Sequence, residues 1–145
     1  MSVLRDFQDK FRINEYMIYE SKHWIWSLRP HQATLGAGIL SLKRECHAFS
    51  KLNEEEHNDL NKIIKVIEPT LKKAFNYDVI NYLMLMMFDK HVHYHILPRY
   101  AEPVDFLGTT WNDKSWPAVP ILAGEPLPQD KLSEFVSFIV SKITG

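Results

Sequence analysis

The chain has 145 residues, 46% hydrophobic and 24% charged, with a formal net charge of −1 and one cysteine. That length buries one good core and is too short for two ordinary domains, and a near-neutral charge excludes a broad electrostatic footprint for DNA or RNA. The single Cys46 excludes an internal disulfide or a multi-cysteine zinc cluster, and no apolar run reaches the roughly 18 residues of a membrane span.

The opening residues lack the apolar stretch of a secretory signal, so a soluble cytoplasmic protein without a membrane partner is expected. Ser2 to Ile13 mixes charged and apolar positions as a short helix does. Tyr16 to Tyr19 and His23 to Arg29 are rich in aromatic and branched residues, which favour a pleated surface, and read as two antiparallel strands. Gln32 to Gly38 forms a turn into a third strand over Gly38 to Lys43. Asn53 followed by Glu56 has the spacing of a capping box, and Glu54 to Glu56 suit the positive end of a helix dipole. From there Leu60, Ile63, Ile64, Ile67, Leu71 and Phe75 recur at three- and four-residue steps, which predicts the principal helix, ending near Asn76.

Asp78 to Met87 is a nearly continuous apolar strand, as expected when both of its faces are covered. Its hairpin partner is His91 to Arg99, ended by Pro98. The proline-rich stretch over 100–129 reads as an ordered surface loop, and Asp130 to Ile143 as a last helix with Leu132, Phe135, Val136, Ile139 and Ile143 on one face.

His91, His93 and His95 alternate with Val92, Tyr94 and Ile96, so an extended strand projects all three imidazoles from one face, roughly 6.6 to 7 Å apart. Imidazole titrates near neutrality and serves as nucleophile, base or acid. A neutral central ring can attack an electrophile while protonated neighbours donate N–H groups to the charge that develops, which suits group transfer at phosphorus through a covalent intermediate. The same spacing also suits metal ligation, since zinc accepts three histidines with a fourth position open.

The run His, apolar, His, apolar, His, apolar, apolar, Pro, Arg over 91–99 resembles the signature of the histidine-triad (HIT) superfamily of nucleotide hydrolases and transferases. Leu35 to Lys43 looks like that family's preceding strand and Leu52 to Glu56 like the start of its central helix, so the likeness spans about residues 13–100. The resemblance implies an α+β, HIT-like fold with a five- or six-stranded, mainly antiparallel sheet, the long helix on one face, the triad on the other and a helix at the C-terminus. It implies one domain over 1–145, commonly paired as a homodimer. It further implies attack by His93 on the α-phosphate of a nucleotide conjugate, such as a diadenosine polyphosphate or adenosine phosphoramidate. His95 would assist the leaving group and His91 would help hold the phosphate, with no metal or cofactor required.

Two departures stand out. Gly38 occupies the position where members often carry a fourth histidine, and Met86 to Lys90 stands where many have a Gly-rich phosphate loop. Phosphate contacts are therefore sought elsewhere, at Arg29, Gln32, Asn81, Asp89 and Arg99. Trp24 and Trp26 are candidates for a purine platform, Trp111 to Trp116 for a cover over the groove, and His31 or His47 for a replacement fourth imidazole. Two other readings stay open beside nucleotidyl transfer: a nucleotide-binding module with little turnover, and a metal-dependent hydrolase using the three histidines as ligands.

Overall fold

The computed structural model describes residues 2–144; Met1 and Gly145, the outermost positions of the expected domain, lie outside them. Helix α1, Val3–Phe11, starts where the Ser2 hydroxyl accepts the Arg5 N–H and stops at Arg12, which turns left-handed at φ 53°. Strands β1 (Met17–Glu20), β2 (Trp24–Leu28) and β3 (Gly38–Leu42) follow as an antiparallel meander. Helix α2, Glu54–Phe75, opens with the expected reciprocal cap: Asn53 Oδ1 accepts the Glu56 N–H while Glu56 Oε1 accepts the Asn53 N–H. Arg44 grips the same carboxylate through two guanidinium nitrogens, tying this cap to the end of β3.

Strands β4 (Val79–Leu83) and β5 (His93–Arg99) complete a five-stranded sheet of order β1-β2-β3-β5-β4, antiparallel throughout. Alternation divides the side chains between two faces. Trp24, Trp26, Leu40, Leu42 and Ile96 join Ile63, Ile67 and Leu71 of α2 in the main core. On the other face, Ile25 and Ile39 pack with Phe7 of α1 and Ile13 in a smaller cluster. Helix α3, Gln129–Val140, adds Leu132, Phe135 and Ile139 to the main core. No helix among the described residues is long and apolar enough to cross a membrane.

Three expectations change. First, β4 ends at Leu83 rather than Met87, lies at the edge of the sheet, and has no fully buried residue, so its two faces are not both covered. The chain leaves the sheet there and turns through Met86 at φ 50°, leaving Phe88 91% exposed. Second, the 100–129 stretch contains a hairpin, β6 (Val104–Phe106) and β7 (Thr109–Trp111). Leu107 and Gly108 both have positive φ, the combination a two-residue hairpin turn requires. Third, Trp24 and Trp26 lie under α2, on the face opposite the triad, with Trp24 Nε1 donating to the Glu56 carbonyl. They belong to the core and are no purine platform.

Candidate functional site

Strand β5 takes His93 and His95 along one face, while His91 sits in the turn just before it. The cross-strand partners of His93 and His95 on β3 are Ser41 and Ile39. Helix α1 then closes over this face. The Phe7 ring centre lies 5.3 Å from that of His91 and 4.7 Å from that of His93, and Phe11 lies 6.0 Å from His95. Adjacent His93 and His95 rings are 5.0 Å apart and nearly perpendicular.

Backbone partners determine which nitrogen of each ring carries the proton. His91 Nδ1 accepts the Cys46 N–H at 3.3 Å, so its Nε2–H donates to the Leu42 carbonyl at 2.7 Å. Both nitrogens of that ring are thereby committed to the chain itself. His93 Nδ1–H donates to the His91 carbonyl at 2.5 Å, which leaves Nε2 with its lone pair free. His95 Nδ1 is buried and has no hydrogen-bond partner among the described residues.

His93 is only 2% exposed, yet it and His95 border a cavity of about 340 Å³. Phe11 and Lys10 of α1, Arg29 after β2, the Leu85 to Asp89 turn, and Leu122 with Ala123 complete its walls. Lys10 Nζ reaches Asp89 at 3.0 Å and joins α1 to the turn. A larger cavity, about 470 Å³, lies between His31, Gln32 and the Trp111 to Ser115 segment and contains no triad residue. The smaller cavity is the one that His93 and His95 border, which makes it the candidate site.

Burial lowers the pKa of His91 and of His93. His95 falls to about 3, through burial first and then the charges of His93, Arg29 and Lys10. At neutral pH the row is therefore uncharged, contrary to the expectation of protonated flanking rings. A low-dielectric pocket disfavours the imidazolium in the absence of an anion.

Of the residues sought for substrate contact, Arg29 and Asp89 line the triad cavity. Gln32, Asn81 and Arg99 do not, and each is engaged elsewhere. Gln32 Nε2 donates to the carbonyls of Arg29 and Ala37 while its Oε1 accepts the Gly36 N–H, stapling the turn before β3. Arg99 is buried and clasps Asp113 through Nε at 2.7 Å and Nη2 at 3.1 Å. Its Nη1 donates to Asn81 Oδ1, so Asn81 and Arg99 together anchor the proline-rich segment.

Gly38 needs a further correction. A Cβ there would meet the Ser27 carbonyl at 2.9 Å and Trp26 Nε1 at 3.0 Å, on the core face. The triad-facing position at the head of β3 is therefore Ala37, which pairs with Arg29 through the Arg29 N–H to Ala37 carbonyl bond of 2.9 Å. Neither His31 nor His47 joins the row: His31 Nδ1 bonds the Glu125 carbonyl at 3.0 Å, and His47 pairs with Glu45 at 3.1 Å. Trp111 packs on Phe135 and Trp116 beside Arg99, so the cover comes instead from Leu122 and Ala123.

Sequence reasoning missed α1 as part of the site. Its signal was the pair Phe7 and Phe11, one helical turn apart, with Lys10 beside them. Among the described residues no three His, Cys, Asp or Glu side chains are grouped as metal ligands. His91 in particular has no nitrogen left to offer.

No protein-family model matches the chain, and neither does any curated protein. Solved structures do match. A histidine triad (HIT) protein from Sinorhizobium meliloti is 19% identical, with 91% of this chain and 93% of that one covered and a TM-score of 0.71. A hypothetical histidine triad nucleotide-binding protein from Sulfolobus tokodaii is 18% identical over 88% of this chain and 82% of its own, with a TM-score of 0.66. A zinc-bound histidine triad family protein from Mycobacterium smegmatis is 15% identical, covering 87% and 84% respectively, with a TM-score of 0.60.

Proposed function

Starting from a chain with the histidine-triad fold, we propose that it binds a small nucleotide conjugate in the triad cavity and transfers the nucleotidyl group to His93. Nε2 of His93 attacks the α-phosphorus. The N–P bond forms as the bond to the leaving group breaks, its electron pair departing with that group. Water then cleaves the N–P bond, returning the pair to Nε2 and releasing a nucleoside monophosphate. His95 contacts the leaving group, and its depressed basicity rises when an anion occupies the pocket. His91 acts as a brace rather than a phosphate ligand, and Gln32, Asn81 and Arg99 serve the scaffold.

The observation that carries this reading is the His93 tautomer: Nδ1–H held by the His91 carbonyl, with the bare Nε2 beside a cavity. The test is release of AMP from diadenosine tetraphosphate and from adenosine phosphoramidate, with intact-mass detection of an adduct. Wild type releases AMP and accumulates a nucleotidyl adduct that His93→Ala lacks. AMP binding without cleavage or adduct would favour the second reading, a nucleotide-binding module, which the packing of Phe7 against His91 and His93 supports.

The same reading includes a homodimer. Edge strand β4 has one row of backbone groups without a neighbouring strand, and Val79, Leu85 and Met87 are exposed beside it. Sedimentation should give twice the chain mass, reduced to one by Val79→Lys; a wild-type monomer at high concentration would end the proposal.

A further inference from the structure

Arg29 combines features that a scaffold arginine does not need. It is only 8% exposed, and no carboxylate lies within ion-pairing distance of it among the described residues. Nη1 donates to the His31 carbonyl at 3.0 Å and Nη2 to the Leu122 carbonyl at 3.0 Å. The buried Nε has no partner. Arg99, by contrast, is buried as well but has its bidentate Asp113. A guanidinium stays protonated at neutral pH, so a buried one without a counterion is a costly arrangement unless an anion completes it.

Position narrows which anion. Arg29 pairs with Ala37, one step beyond the level at which Ile39 faces His95, so along β5 the order runs His93, His95, then the level of Arg29. All three groups border the same cavity, whose acidic wall residue, Asp89, is tied to Lys10. On the nucleotidyl-transfer reading, a leaving group assisted by His95 departs on the side where the guanidinium stands.

We infer that Arg29 is a specificity-determining residue that receives the charge of a departing phosphate, so that the cavity favours conjugates whose leaving group is a phosphate over those that release an amine. This rests on the nucleotidyl-transfer reading above. When the phosphoanhydride P–O bond breaks, the electron pair and negative charge go to the leaving oxygen, where a fixed cation is most useful. A phosphoramidate nitrogen takes a proton, supplied on this reading through His95, as the P–N bond breaks, leaves as a neutral amine, and gains little from Arg29.

The experiment compares kcat/KM for diadenosine tetraphosphate and adenosine phosphoramidate in wild type, Arg29→Gln and Arg29→Lys, alongside calorimetric binding of inorganic pyrophosphate. The ratio of the two kcat/KM values is expected to fall by about 30-fold in Arg29→Gln, the scale of one or two lost charge-assisted hydrogen bonds, with partial recovery in Arg29→Lys. Equal losses on both substrates, or no loss, would overturn the inference. If Arg29→Gln does not fold, Arg29→Lys decides: a fall of a few fold in the ratio supports it and an unchanged ratio overturns it. If wild type cleaves neither conjugate, nucleotidyl transfer is the reading that has failed. The pyrophosphate arm then still judges Arg29: binding weakened about 30-fold by the glutamine supports a phosphate receptor, and binding that is unchanged or absent in wild type refutes it.

Discussion

Along β2, β3 and β5, residues one step apart enter opposite surroundings. Trp24, Trp26, Leu40 and Ile96 turn toward α2 and α3 and fill a continuous apolar core. Ile25, Ile39, His93 and His95 turn toward the short helix α1, where aromatic rings meet imidazoles and a cavity remains. One face is organised by volume. The other is organised by directional bonds to backbone carbonyls, and it keeps a buried cation without a carboxylate. If the proposed transfer takes place on the triad side, stability and chemistry are separated by the pleat of a single sheet, and single substitutions should separate them too.

The largest expected effect is on the triad side. His93→Ala should lower conjugate cleavage by about 10⁴-fold, as loss of a nucleophile does, while the urea midpoint changes little by comparison. Residual activity within tenfold of wild type would show that Nε2 is not the attacking atom. On the opposite face, Trp24→Ala should cost about 3–5 kcal/mol in urea unfolding, through lost contacts and an unfilled cavity. If it instead altered activity with stability intact, the separation of faces would be broken.

Acid should act through the triad side. Histidines with depressed pKa in the folded state stay neutral there while their unfolded counterparts protonate below about 6.5. The unfolded state then binds more protons, so stability falls as pH drops from 6.5 toward 3, by roughly 3 kcal/mol at pH 4. Chemical denaturation at several pH values reads this directly, and a flat profile between pH 7 and 4 would refute neutral burial of the row. The smallest expected effect is at the start of α2, where Asn53→Ala should cost about 1 kcal/mol by removing the acceptor for the Glu56 N–H, without touching catalysis.

How much of this was legible depended on the range of the signal. The three-residue spacing of Asn53 and Glu56 is local, and a capped helix follows from it directly. The histidine alternation likewise puts His93 and His95 on one strand face, but β5 begins only at His93 and leaves His91 in the bend before it, its ring bonded to Cys46 and Leu42. The partners of polar side chains are not local. Arg99 and Arg29 look alike as letters, and only the fold brings Asp113 to one and leaves the other without an acid. Gly38 was the residue compared with the missing histidine, because strand register, which assigns that duty to Ala37, cannot be read without the partner strand. The apolar run of β4 reads as doubly covered for a related reason: hydrophobicity alone does not distinguish a strand buried on both faces from a part-exposed strand at the edge of the sheet.

The carbonyl that orients His93 comes from the main chain of His91, not from its ring. Replacing the His91 side chain should therefore loosen the junction at Leu42 and Cys46 without changing the direction in which the neighbouring imidazole aims. Three identical letters thus divide into one ring riveted to the chain and two that border a cavity, and the peptide unit between the first two is the part that no point mutation can delete.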